Sequence, residues 1–143
     1  MTNNKSSISK PEIIELTRIY DHRGNLSVAE EFRDLPCEIK RVYWIYDVPG
    51  GESRGGHAHK QLWQFIVAAN GSFNVNVTDG IENKSFFLNH PYRGLLIPPG
   101  FWRTIDDFSS GAVCLVMASE YYSEEDYIRE YDEFLDYKGI PHK

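Results

Sequence analysis

An all-β fold, a barrel or sandwich closed by one C-terminal helix, is predicted by three features of this sequence. Short β-branched or aromatic runs recur from Ile13 to Met117, glycine, proline, asparagine and aspartate break them, and the period changes after Ser123. The 143 residues suit one domain, 1–143, and a content of 41% apolar and 14% aromatic residues is enough for a core and favours sheet packing.

Strands are expected over residues 13–19, 26–30, 39–47, 56–60, 62–69, 72–78, 84–88, 94–98, 101–106 and 112–119. Arg23-Gly24-Asn25 separates the first two, and Pro49-Gly50-Gly51 separates the third from the fourth. Asn70-Gly71 and Asp79-Gly80 carry hairpin chemistry, because both central positions of a tight hairpin turn need positive φ, so consecutive antiparallel pairing is expected. Residues 72–78 alternate, with Phe73, Val75 and Val77 on one face and Ser72, Asn74, Asn76 and Thr78 on the other. After Ser123, an N-cap candidate, acids fill a first turn and Tyr127, Tyr131, Phe134 and Leu135 share a helical face, which predicts an amphipathic helix packed on the barrel.

The net charge of -6 argues against a nucleic-acid or anionic-membrane partner, since either needs a cationic footprint. Met1 to Lys10 is polar with no apolar run, so neither a secretory signal nor a membrane anchor is expected and the protein is read as cytoplasmic. Cys37 and Cys114 show no CxxC spacing and give neither a disulfide framework nor a zinc pair.

Chemistry concentrates in the stretch from Gly51 to Gln64. His57 and His59 are two apart, so on a strand they project from one face, and two imidazoles in a cavity either bind a metal or move protons. Gly55-Gly56 beside them leaves backbone open to a ligand, which favours a site over two polar residues buried for packing. The spacing Gly51, His57, His59, position 64, Gly71 resembles the first motif of the cupin superfamily, G-x5-H-x-H-x4-E-x6-G, with Gln64 in place of Glu. The second cupin motif, G-x5-P-x-G-x2-H, is echoed by Pro98-Pro99-Gly100-Phe-Trp-Arg103, with Gly94 four residues before Pro98 and Arg103 in the histidine slot. The resemblance implies a cupin-type double-stranded β-helix, a jelly-roll barrel. With two ligand positions lost, and Arg103 placing a permanent cation where a dication would sit, no metal is expected.

Four further segments sharpen the class: Asp21-His22-Arg23-Gly24-Asn25-Leu26, Arg41-Val-Tyr43-Trp-Ile-Tyr46, Arg54-Gly-Gly-His57-Ala-His59-Lys60 and Leu96-Ile-Pro-Pro-Gly-Phe-Trp102. In order and spacing they resemble the dTDP-4-keto-6-deoxyglucose 3,4-ketoisomerases. The resemblance implies a cytoplasmic enzyme without metal or organic cofactor, and a homodimer that exchanges N-terminal strands. It also implies a dTDP-linked 4-keto-6-deoxyhexose as substrate, on the route to 3-amino-3,6-dideoxyhexoses of bacterial surface glycans such as lipopolysaccharide O-antigen or S-layer glycan.

By that resemblance His57 and His59 are the acid/base candidates, His57 the principal base, and Arg103 and Tyr43 stabilise charge on the sugar oxygens. Arg23 matches an active-site arginine of some members, and Arg41, Arg54 and Lys60 are the nearby cations for a diphosphate. The competing readings are another cupin enzyme, such as a nucleotide-sugar 3,5-epimerase, which would carry an acidic partner for its histidine, and a non-catalytic sugar-binding cupin.

Overall fold

The structure, a computed structural model, describes residues 8–142. In chain order the strands are β1 (Glu12–Glu15), β2 (Arg18–Ile19), β3 (Leu26–Ser27), β4 (Arg41–Ile45), β5 (Arg54–His59), β6 (Gln64–Asn70), β7 (Phe73–Thr78), β8 (Asn83–Leu88), β9 (Arg93–Ile97), β10 (Trp102–Asp106), β11 (Val113–Ala118) and β12 (Tyr127–Ile128), and helix α1 (Tyr131–Lys138) follows. They form two five-stranded antiparallel sheets, ordered β1-β9-β6-β11-β4 and β12-β5-β10-β7-β8, with β2 and β3 apart as a two-stranded ribbon. This is the jelly-roll barrel that the sequence predicts.

The sheets bury their inner faces against each other. Ile66, Leu95, Cys114 and Val116 from one meet Phe73, Val75 and Ile105 from the other, all inaccessible or nearly so. The alternation read over residues 72–78 holds: Phe73, Val75 and Val77 are buried, while Asn74, Asn76 and Thr78 are partly exposed on the outer face. A second cluster, Ile14, Leu16, Leu35, Phe65, Val67 and Leu96, lies on the outer face of the first sheet.

Three expectations need correction. The segment 13–19 is broken into β1 and β2, and only β1 joins a large sheet. Consecutive pairing is rare: the Asp79-Gly80 turn does join a paired hairpin, β7 with β8, but Asn70-Gly71 carries the chain from one sheet to the other. Gly71 has the positive φ of 69° that the dipeptide signals, and a Cβ there would stand 2.5 Å from Ser109 Oγ. Ser109 and Ser72 bind each other across this crossing, so side-chain and backbone hydrogen bonds replace the hairpin ladder.

The third correction concerns the C-terminus. The helix starts at Tyr131, and Ser123 precedes only a single 3-10 turn, Glu124–Asp126, without a side-chain cap bond. Tyr127 and Ile128 extend instead and pair with His59 and Ala58 on β5. Sheet pairing satisfies their backbone while Ile128 enters a cluster with Ala58, Phe134 and Leu135, an arrangement that a continuous helix would not permit. Burying Phe134 and Leu135 is worth about 1.5–3 kcal/mol each. The helix stops at Gly139, whose φ of 72° closes a Schellman motif: Ile140 N–H donates to Leu135 O and Gly139 N–H to Asp136 O.

Candidate active site

Strand β5 has one more residue than its partner β10 between two register points, His57 opposite Arg103 and Arg54 opposite Ile105. Gly55, at φ 76°, takes the left-handed conformation that such a bulge requires. The bulge sets the side chain of His57 level with that of Arg103. Both line a cavity of about 290 Å³ between the sheets, together with Arg41, Tyr43, Arg54 and Gln64. Tyr122, Tyr127 and Arg129, before, on and just after β12, complete its wall.

His59 lies behind this wall, wholly buried. Its Nδ1 is 3.2 Å from Asp126 Oδ2, and because a carboxylate only accepts, this nitrogen carries the proton of the neutral ring. The two imidazoles meet edge to face, 4.8 Å apart, and the Tyr127 ring touches both, at 5.1 Å from His57 and 4.4 Å from His59. The Nε2 atoms of both histidines are buried without a hydrogen-bond partner among the described residues. Buried polar atoms are normally paired, so two unpaired imidazole nitrogens on a pair of touching rings mark a candidate place for chemistry.

A polar chain runs from Arg103, beside His57, to the facing sheet. Arg103 Nη1 donates to Gln64 Oε1, and Gln64 Nε2 donates to the Tyr43 hydroxyl at 2.9 Å. Arg103 Nε and Nη2 donate to Phe101 O. No carboxylate lies within ion-pair distance of Arg103 among the described residues. Burial lowers its guanidinium to about 10, so it stays charged at neutral pH. Burial, with Arg103 next and then Arg129 and Arg41, lowers His57 to about 3. Burial and Arg103 likewise lower His59 to about 2. Both imidazoles are therefore neutral at pH 7 and able to accept a proton. Burial also raises the Tyr43 phenol above its ordinary value, which keeps it a hydrogen-bond donor.

These groups do not fit a catalytic metal ion. Gln64 Oε1 is occupied by a guanidinium, and the buried cation of Arg103 would repel a dication held by the two histidines.

Along the cavity wall, Arg41 Nη2 is 3.5 Å from the Tyr127 hydroxyl, and its Nε is buried without a partner among the described residues. Arg129 lies over the Tyr127 ring at 4.3 Å and is paired with Glu124. Of the residues singled out from the sequence, His57, Tyr43, Arg103, Arg41 and Arg54 surround the cavity and His59 backs His57. Lys60 sits outside, in a separate cleft beside Tyr127, Glu133 and Tyr137. Arg23 stands on the exposed turn between β2 and β3, bound to Asp21 at 2.8 Å. Asp126, Tyr127, Tyr122 and Arg129 were not legible as site residues, because the acidic run after Ser123 imitates a helix start.

Residues 9–139 match the FdtA family, described as WxcM-like, C-terminal. The TDP-4-oxo-6-deoxy-alpha-D-glucose-3,4-oxoisomerase of Aneurinibacillus thermoaerophilus is 46% identical over 126 residues, which cover 88% of this chain and 91% of that one. The structure of QdtA, a sugar 3,4-ketoisomerase from Thermoanaerobacterium thermosaccharolyticum in complex with TDP, superposes with a TM-score of 0.89 at 42% identity, covering 92% of this chain and 96% of that one. A 3,4-ketoisomerase from Helicobacter canadensis gives 0.88 at 43% identity, covering 90% and 97%.

Proposed function

Because this chain belongs to the FdtA family and sets a neutral imidazole level with a buried guanidinium, we propose that it is a dTDP-4-keto-6-deoxyglucose 3,4-ketoisomerase. It is an isomerase: the carbonyl moves from C4 to C3 and no atom is gained or lost. The observation that carries the reading is His57 opposite Arg103 across β5 and β10, inside the cavity.

The chemistry follows from that pairing. His57 takes the proton on C3 and the electron pair passes to the C4 oxygen, giving an enediolate. The guanidinium of Arg103 and the Tyr43 hydroxyl stabilise its charge, an interaction that grows in the transition state. The proton then returns to C4, while the hydroxyl proton passes from the C3 oxygen to the C4 oxygen. His57 is neutral at pH 7, the protonation state that the first step requires of its base. No metal or organic cofactor enters this account, because the donor set favours a bound oxyanion over a dication.

Arg41 and Arg54 serve the diphosphate, Arg41 through the nitrogen now without a partner. Arg129, already at the wall, is the further cation in place of Lys60.

The protein acts as a homodimer with exchanged N-terminal strands. The ribbon β2–β3 joins neither large sheet and exposes Ile19, Tyr20 and Leu26, while β4 leaves an open edge with Val42, Trp44 and Tyr46 exposed. Since β4 also supplies Arg41 and Tyr43 to the cavity, a ribbon from a second copy added at that edge brings Arg23 to the partner's site. No helix among the described residues is long and apolar enough to cross a membrane. The place of action is the cytoplasm, and the product feeds 3-amino-3,6-dideoxyhexose synthesis for a surface glycan such as an O-antigen or S-layer glycan. Incubating the protein with dTDP-4-keto-6-deoxyglucose and following the carbonyl by NMR tests the reading.

A further inference from the structure

We propose that Asp126 is a positioning residue that holds His59, the ring in edge-to-face contact with His57, as its Nδ1–H tautomer with Nε2 unprotonated. The inference rests on the ketoisomerase reading for its effect on rate, but its geometric part stands without it.

Asp126 ends the 3-10 turn that precedes β12, and its carboxylate is occupied by three donors. Oδ1 accepts from Gln61 N–H at 2.8 Å, and Oδ2 accepts from Leu62 N–H at 3.3 Å and from His59 Nδ1–H at 3.2 Å. Its own carbonyl accepts from Lys60 N–H, and the next residue, Tyr127, pairs with His59. The strand end that carries His59 and the turn that carries Asp126 are therefore one unit. A proton on Nδ1 leaves the lone pair on Nε2, on the opposite edge of the ring, where no described group bonds it. When His57 takes the substrate proton it becomes a cation 4.8 Å from this ring. It then stands against a ring whose N–H is turned to the Asp126 carboxylate and whose other nitrogen carries no proton to oppose the new charge. His59 is wholly buried and does not line the cavity, so this pair acts through His57.

An amide cannot replace the carboxylate. The side chain of the Asp126→Asn variant would have one accepting oxygen for three N–H groups, and the bond to Gln61 N–H is the shortest of them. Its NH₂ then faces His59 Nδ1 and drives the ring to the Nε2–H tautomer.

The test is ¹⁵N NMR of histidine-labelled protein at neutral pH, with kinetics on dTDP-4-keto-6-deoxyglucose. In the wild type the protonated nitrogen of His59 should be Nδ1; in Asp126→Asn it should be Nε2. That variant should lose at least about tenfold in kcat with KM little changed, the lower end for partners behind an active group, and Asp126→Glu should recover part of the loss. Nε2–H in the wild-type ring would overturn the proposal even if Asp126→Asn failed to fold. So would an Asp126→Asn enzyme with unchanged kcat. If the wild type showed the Nδ1–H ring but no turnover, the ketoisomerase reading would fail and the geometric part would hold.

Discussion

Arg103 donates to Gln64, so the two side chains standing at expected metal-ligand positions of the barrel are bound to one another. The link continues to Tyr43, so a charged donor beside His57 is joined through Gln64 to a neutral donor on the facing sheet. Turnover should therefore survive exhaustive chelation and gain nothing from added divalent cations. Loss of activity on chelation, restored by one metal, would contradict this.

The cation of Arg103 is buried with no carboxylate beside it among the described residues, which is costly for stability and useful for an anionic intermediate. Arg103→Met should lower kcat by about 10²–10³, the range for removing one oxyanion donor. It also strands Gln64 Oε1, at a cost of about 1–3 kcal/mol. Adding Gln64→Leu removes the stranded acceptor, so the double variant should melt above Arg103→Met without recovering its kcat. Full activity of either variant would remove Arg103 from the mechanism.

His57 and His59 make stability depend on pH in a definite direction. Their folded values, about 3 and about 2, lie below the ordinary 6.5. The stability they protect is complete above pH 6.5, and is lost as pH falls toward these values, because the unfolded chain takes up protons that the folded one refuses. His59→Asn removes one of the two, so its acid limb should be shallower by up to about 1.4 kcal/mol per pH unit. Parallel urea-unfolding profiles from pH 7 to 4 for the two proteins would contradict the assignment.

The alternation of residues 72–78 was legible because a period of two survives any topology. The crossing at Asn70-Gly71 was not, since turn chemistry specifies the φ of Gly71 but not the sheet that the next strand joins. Glu124 to Ile128 failed for another reason. Three acids after a serine resemble a first helical turn, and a two-residue strand has no period to set against them. Asp126 was lost with that segment, because its partner His59 is 67 residues away in sequence. His57 was legible from its spacing to His59, and Arg103 and Tyr43 by resemblance to a known family; the link through Gln64, seen from the sequence only as a missing ligand, joins strands distant in sequence and has no local signal.

The open edge of β4 gives a solution prediction. Light scattering at micromolar concentration should give the mass of a dimer, and Trp44→Glu, which charges the exposed apolar row on that strand, should shift it toward monomer. A monomeric wild type would remove the exchanged strands, and with them the placement of Arg23 in a partner's cavity.

The central claim is that a cavity histidine moves the carbonyl from C4 to C3, and ¹³C NMR of dTDP-4-keto-6-deoxyglucose labelled at C3 and C4 tests it most directly. With the wild type, the ketone resonance should pass from C4 to C3. His57→Asn should retain binding but slow this passage by at least about a hundredfold, the lower end for a general acid–base group. A ketone that stays at C4 in the presence of the wild type, or a His57→Asn enzyme as fast as the wild type, would contradict the account.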